Sequence, residues 1–454
     1  MVLRIQKKKE NRIFKVYMIA MFLLLVARYI LKISVPAAAF LLVTMLPIWW
    51  GTTTEQLAFV ASCIPFSVAF QYKYAILILS VALLIKNRWK LKRSGLIVLV
   101  AAMMIWELWH AFYGHFSYVE FLRDFAELIL LGIVTSIDMR DVDHKLVIRT
   151  LAVSVVGVCL IMLWMQMQQF GFDIVAVFAR SARSFRFGQS NMESGTYALN
   201  FNANNLGFIC NLSLCGILLL VDRKEHCPLD VALAICAPIF ALMTMSRTAI
   251  VCMVMIFAAY LFFAQGDLVK KIWSGLGGIL LAVVSLILVW KFLPSVFANI
   301  QERFQRADVW NGRGSLFRYY GEFLMSSWKY ILFGIGMQDI FGKVSPRYPV
   351  HDVPHMGMQE VCVAWGVVGV VMMLVVFWKI MTTSKLYAKG KRSFYQFMPL
   401  ILTVVFTMSG QLLTSSRALI ALTFAYTCLC VEKKYDDAPG EVQLMENGNE
   451  QKYD

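Results

Sequence analysis

His355–Ile380 reads HMGMQEVCVAWGVVGVVMMLVVFWKI. It opens on small and polar residues, passes one carboxylate at Glu360, and then carries no charged side chain from Val361 to Trp378. A helix needs about 20 apolar residues to cross about 30 Å of hydrocarbon. The run does not alternate apolar with polar, as a barrel strand would, so it predicts a helix whose backbone groups satisfy one another in lipid. It also ends the longest polar interval in the chain, from Pro294 to Pro354.

The same pattern recurs outward in both directions. Of 454 residues, 59% are hydrophobic and 16% are charged, and the mean hydropathy is +0.66. Soluble domains average roughly 45–50% apolar and about 25% charged residues. Apolar runs fall at about 14–31, 34–50, 57–70, 74–85, 95–113, 117–137, 146–166, 203–221, 230–245, 249–264, 272–292, 359–380, 396–412 and 417–431. The expected fold is all-α, a polytopic transmembrane bundle of about 12–14 spans. The third and fourth runs are short, and read either as one broken helix or as two. The basic N-terminus followed by an apolar run mimics a signal peptide, but Ala37-Ala38-Ala39 lies inside the next run, so an uncleaved first span is expected.

Lysine and arginine set the orientation. Basic clusters stand at Lys7–Lys9, Lys86–Arg93, Arg140–Lys145, Arg223-Lys224, Lys270-Lys271, Lys385–Arg392 and Lys433-Lys434. With fourteen spans all fall on one side, which places both termini in the cytoplasm. The chain then divides into a membrane domain, residues 1–435, and a disordered cytoplasmic tail, residues 436–454. Two longer loops, about 168–202 and 294–358, fall on the outer side. The formal charge of +15 is explained by this topology and not by a nucleic-acid partner. The ten cysteines form no CxxC pair and sit mostly in apolar runs, so they read as small apolar residues. No Walker loop, dinucleotide fingerprint or GxSxG occurs.

The outer side favours arginine: Arg180, Arg183, Arg186, Arg247, Arg303, Arg306, Arg313, Arg318, Arg347 and Arg417. A planar fork of donors suits phosphate or carboxylate, whereas lysine suffices for topology. Pairing with Glu193, Glu302, Asp308, Glu322 and Asp339 is the other reading. The turns Thr244-Met-Ser-Arg247 and Thr414-Ser-Ser-Arg417 echo each other, each placing an arginine at the hydrocarbon edge. Leu316, Phe317, Tyr320, Phe323, Leu324 and Trp328 predict an amphipathic helix after Gly312-Arg313, ended by Gly334-Ile-Gly336. Arg318 lies on its polar side. His355, just ahead of a span, suits proton abstraction from a hydroxyl at neutral pH, with Asp352 or Glu360 to orient it. Pro354 breaks the geometry in which His351 and His355 would share a metal. Glu107, His110, Arg123, Asp124 and Glu127 form an intramembrane polar cluster, structural or cavity-lining, in which Arg123 and Glu127 are spaced to pair. The amides of Asn200–Asn205 can cap a helix or bind sugar hydroxyls.

The stretch from Asn200 to Gly369 resembles the O-antigen ligase and polysaccharide polymerase family of bacterial membrane glycosyltransferases. The resemblance rests on the Ser246-Arg247 turn and on Asn204-Asn205 entering a span. It rests also on Gly312-Arg313 followed by Gly334-Ile-Gly336, and on His355 with Gly366 and Gly369. One departure is Met356, where the family commonly has asparagine. The resemblance implies a GT-C-like enzyme of the bacterial cytoplasmic membrane acting at its extracytoplasmic face. It takes a glycan from a polyprenyl pyrophosphate and passes it to a glycan or lipid acceptor, without cofactor or metal. Membrane lipids, a flippase and a chain-length regulator are the implied partners. On this reading His355 and Arg247 are catalytic. Arg313 and Arg417 bind the pyrophosphate with Arg247, and Arg183, Arg186, Arg303, Arg318 and Glu360 also contact substrate. A polymerase joining repeat units for O-antigen, capsule or exopolysaccharide is favoured over a ligase that passes the finished chain to a lipid core or protein. A flippase for lipid-linked sugars would spread its charges along a path through the bilayer.

Overall fold

The computed structural model describes residues 2–87, 95–113, 116–173, 199, 201–263, 313–350, 352–387, 393–414 and 417–431, with isolated positions between 269 and 301. Arg183, Arg186, Arg303, Arg306, His351, most of the loop 168–202, most of the run 272–292 and the tail 436–454 lie outside these residues.

Every regular element among the described residues is helical. In chain order these are α1 (Val2–Leu25), α2 (Ala37–Met45), α3 (Thr53–Phe66), α4 (Tyr72–Lys86), α5 (Leu96–His110), α6 (Tyr118–Val134), α7 (His144–Gln169) and α8 (Ala203–Asp222). There follow α9 (Pro228–Met243), α10 (Arg247–Phe263), α11 (Arg313–Met325), α12 (Trp328–Phe333), α13 (Ile340–Val344), α14 (Gly357–Ser384), α15 (Phe394–Ser409) and α16 (Ala418–Leu429). Four helices, Arg12–Ile30, α7, α8 and α14, are long and apolar enough to cross a membrane, and several shorter helices are also apolar. The short third and fourth runs are two separate helices, α3 and α4, joined by the turn at Ser67–Gln71.

The outward faces are apolar. On α14 the exposed side chains Val367, Val371, Leu374 and Trp378 recur every three or four residues. A soluble helix buries such a stripe; here it points out, as it does for Val16, Ile19 and Leu23 on α1. This fits a bundle surrounded by lipid. The inner helices are α8 and α16, the latter buried along its whole length. Lipid gives helices little hydrophobic reason to associate, so close backbone approach and interhelical hydrogen bonds matter more, at about 0.6–2 kcal/mol each. Gly207 of α8 meets Ala249 of α10, where an added Cβ would lie 2.3 Å from the Ala249 Cβ. One turn along, Asn211 Nδ2 donates to Ala249 O at 2.8 Å. Tyr17 and Ser62 join α1 to α3 at 2.7 Å.

Helix ends are capped by their own sequence. Thr52 and Glu55 form a reciprocal capping box at α3, and Gln396 Oε1 accepts from Ser393 N at 3.0 Å at the start of α15. Asn202 caps α8 by accepting from Asn204 N at 2.9 Å, one of the two uses expected of the Asn-rich entry.

Polar contacts sort into two ends of the bundle. At one end Arg149 grips the buried Asp230 through Nε and Nη2 at 2.9 and 2.7 Å. There too Gln396 Nε2 donates to Val431 O and Tyr387 Oη to Ile137 O. The other end gathers the close of α5, the starts of α6, α14 and α16, and the segment α11–α13. Arg123 and Glu127 do not pair as their spacing suggests. Glu127 turns inward and accepts from Tyr72 Oη, whereas Arg123, partly exposed, turns outward to Asp124 at 3.3 Å and Glu120 at 3.8 Å.

Candidate functional site

The site is built on a break in α14. Gly366 adopts φ 68° and ψ −163°, open to glycine and not to an L side chain. A continuous helix would offer the carbonyls of Val363 and Ala364 to Val367 and Val368. Instead Val363 O accepts from Ile335 N at 3.0 Å, and Ala364 O from Gly336 N at 2.7 Å. The approach is so close that a Cβ on Gly366 would lie 2.2 Å from Leu332 O, and one on Gly334 2.4 Å from Ala364 O. The two glycine motifs that stand thirty residues apart in the sequence therefore face each other. Glu107, buried on α5, fixes the arrangement by accepting from Met337 N at 2.9 Å and Trp365 Nε1 at 2.6 Å. His110 lies 3.0 Å from Phe333 O. Gln338 then ties the segment to the start of α6, exchanging bonds with Ser117 N at 2.9 Å and Ser117 O at 3.0 Å.

Glu360 stands in the first turn of α14, wholly buried. Its Oε2 accepts from Leu412 N at 2.6 Å and Leu413 N at 2.9 Å; its Oε1 accepts from Thr414 N at 2.9 Å and Thr414 Oγ1 at 2.5 Å. Successive backbone N–H groups form a concave nest for the carboxylate. Glu360 is thus occupied by the protein's own chain and holds the loop 411–414, which leads into Arg417. Of the two acids offered as orienters of His355, Asp352 takes the place, with Oδ2 3.0 Å from His355 Nε2. Asp352 is itself fixed: its Oδ1 accepts from Val353 N at 2.8 Å and its carbonyl from Tyr320 Oη of α11 at 2.9 Å. With Nε2–H donated to Asp352, the lone pair stays on Nδ1, which lies 3.5 Å from Gln411 Nε2. The histidine side chain is partly exposed.

Arg417 immediately precedes α16 and is 8% exposed. Its guanidinium lies 4.5 Å over the ring of Phe201. Among the described residues its Nε has no hydrogen-bond partner, and it forms no ion pair with an acid. A guanidinium is a cation at neutral pH. Phe201 leads into Asn202 and Asn204, and Asn204 Oδ1 accepts from Ser246 Oγ at 2.7 Å. Ser246 caps α10, whose first residue is the half-buried Arg247. The Asn-rich entry thus links the two arginine turns. Arg313 begins α11, half-buried, and burial lowers its pKa. Arg318 turns away: it is 75% exposed and paired with Glu322 at 2.7 Å, the outcome expected if an outer arginine serves only an acid. On α11, Leu316, Tyr320, Phe323 and Leu324 are buried as predicted, but Phe317 is exposed, and Trp328, also exposed, begins the separate helix α12.

Sequence reasoning missed Phe201 and Gln411. Phe201 sits between two asparagines in an otherwise polar entry, and an aromatic ring held there is the signal. No protein-family model matches the chain, and a search of characterised proteins finds no relative.

Proposed function

We propose that this protein is a membrane glycosyltransferase that joins glycan repeat units carried on polyprenyl pyrophosphate, in the manner of the O-antigen polymerase and ligase family. The observation that carries the reading is Arg417, a buried guanidinium with no hydrogen-bonded anion among the described residues, six residues after Gln411, which faces His355. A buried cation left in this state is costly unless an anion is delivered to it. In the proposed reaction the acceptor hydroxyl gives its proton to His355 Nδ1 while Asp352 steadies the ring. The hydroxyl oxygen bonds to the anomeric carbon, the bond from that carbon to the phosphate oxygen breaks, and the pyrophosphate leaves as an anion. Fixed arginines stabilise that developing charge without reorganising; Arg417, Arg247 and Arg313 are the candidates. The site lies at the extracytoplasmic face in this reading, because the lysine-rich ends of the helices lie at the other.

Arg417→Ala and His355→Ala, expressed to wild-type membrane levels, test the reading through glycan chain length on gels. Loss of long chains is expected from both; wild-type chain lengths from both overturn the site. Accumulation of single lipid-linked units in a deletion strain assigns polymerase, and accumulation of long unattached chains assigns ligase. Impermeant labelling of Ser345→Cys in intact cells is expected to succeed; protection there inverts the topology.

A further inference from the structure

A cleft of about 940 Å³ lies between the end of α5 and the segment from α12 to Arg347. Ligand sites commonly span about 300–1,000 Å³, so it is large enough for several linked rings. Neither His355 nor Arg417 lines it. Its walls carry Trp106, Trp109, Trp328 and Phe333. The Trp106 and Phe333 rings lie 5.8 Å apart and the Trp328 and Phe333 rings 6.3 Å apart. The Trp106 indole N–H is buried without an acceptor among the described residues.

Charge in the cleft is one-sided. Lys329, Lys343 and Arg347 line it, against a single acid, Asp339. That acid is engaged, capping α13 by accepting from Gly342 N at 3.0 Å. None of the three cations forms an ion pair among the described residues. Lys343 Nζ donates once, to Ile335 O at 2.8 Å, which leaves two of its three hydrogens for a ligand. Arg347 makes one long contact, Nη1 to Tyr330 Oη at 3.4 Å.

Flat aromatic faces beside cations that form no ion pair among the described residues fit one ligand chemistry well. The C–H face of a pyranose is apolar and slightly positive and packs on a π face; a carboxylate on the same ring needs cationic donors. We propose that this cleft binds an acidic saccharide, its rings stacked on the tryptophans and its carboxylate held by Lys343 and Arg347. Resting on the glycosyltransferase reading, this names the substrate class: a repeat unit that contains an acidic sugar.

The test uses the full chain in phosphatidylcholine nanodiscs. Titration with tetragalacturonate, with a glucuronate-containing tetrasaccharide and with neutral maltotetraose is followed by tryptophan fluorescence and calorimetry. At least one acidic probe is expected to bind about tenfold or more tighter than maltotetraose, a difference that the Lys343→Gln/Arg347→Gln double variant removes. Trp328→Ala, at an exposed position, is expected to weaken both kinds of probe. Equal binding of acidic and neutral probes, no binding of either acidic probe, or an unchanged preference in the double variant overturns the proposal. So does loss of acidic-probe binding when phosphatidylglycerol replaces part of the phosphatidylcholine, which assigns the cleft to lipid headgroups. His355→Ala separates the two readings. It is expected to abolish chain growth while leaving probe binding intact. Chain growth lost without a charge preference in the cleft sinks only the cleft; the preference with normal chains in His355→Ala and Arg417→Ala sinks only the glycosyltransferase site.

Discussion

Replacing Glu360 by glutamine tests whether that carboxylate anchors a loop or meets substrate. Four donors converge on it, two per oxygen. Hydrogen bonds to a charged group are worth about 1.5–3 kcal/mol each, and neutral ones about 0.5–1.5 kcal/mol. The amide keeps one acceptor oxygen and can retain two bonds, weakened to the neutral range. Its NH2 then faces the other two donors. If that pair is on Thr414, the hydroxyl can rotate to accept, leaving one buried N–H unsatisfied. Summed at mid-range, the loss is about 6 kcal/mol, of which local opening of residues 411–414 relieves a part. Melting of the purified protein in detergent is expected to fall by a few degrees. A cysteine placed at Gln411 is expected to react faster with a thiol reagent in the Glu360→Gln background. If the variant melts and labels like wild type yet loses transfer activity, Glu360 meets substrate and the anchoring argument fails.

Other perturbations follow from the same geometry. Gly366→Ala is expected to cost about 2–5 kcal/mol, from positive-φ strain and from hydrogen bonds to the 335–336 segment pushed apart; wild-type melting would show that α14 can close its break. Arg417→Lys keeps the charge but not the fork, and is expected to retain membrane levels while transfer falls by about tenfold or more, through loss of bidentate contact; full activity would mean that charge alone suffices. Burial lowers the pKa of Lys343, partly opposed by Glu107 and Asp339. Its proton is therefore lost at lower pH than that of a surface lysine. Affinity of the cleft for an acidic probe is expected to be complete near neutrality and to fall as pH rises through the alkaline range, and Lys343→Arg is expected to abolish the fall. For stability the sign is opposite: the charged form is disfavoured in the fold, so this group contributes more stability as pH rises.

How much could be read beforehand depended on the range of the interaction. The helices were legible because lipid leaves the backbone few options, and a run such as Val361–Trp378 has one way to satisfy itself. The Asn202 cap and the nearness of Asp352 to His355 were legible because both are local. The role of Glu360 was not, since its donors lie more than fifty residues away and are backbone groups, which any sequence supplies. Spacing alone paired Arg123 with Glu127, yet a full turn apart is necessary and not sufficient: Tyr72 from another helix claimed the inner carboxylate. The glycines at 334 and 336 announced a sharp turn, but nothing announced that they and Gly366 existed for each other.

That mutual dependence has a consequence for dissecting the molecule. Peeling the stretch from Trp328 to Val344 off the bundle would strip the partners from two peptide carbonyls of an apolar helix. The stretch is therefore a plug that completes α14. A version of this protein with the stretch excised is expected to be recovered misassembled, and the same stretch made alone is expected to have no shape of its own.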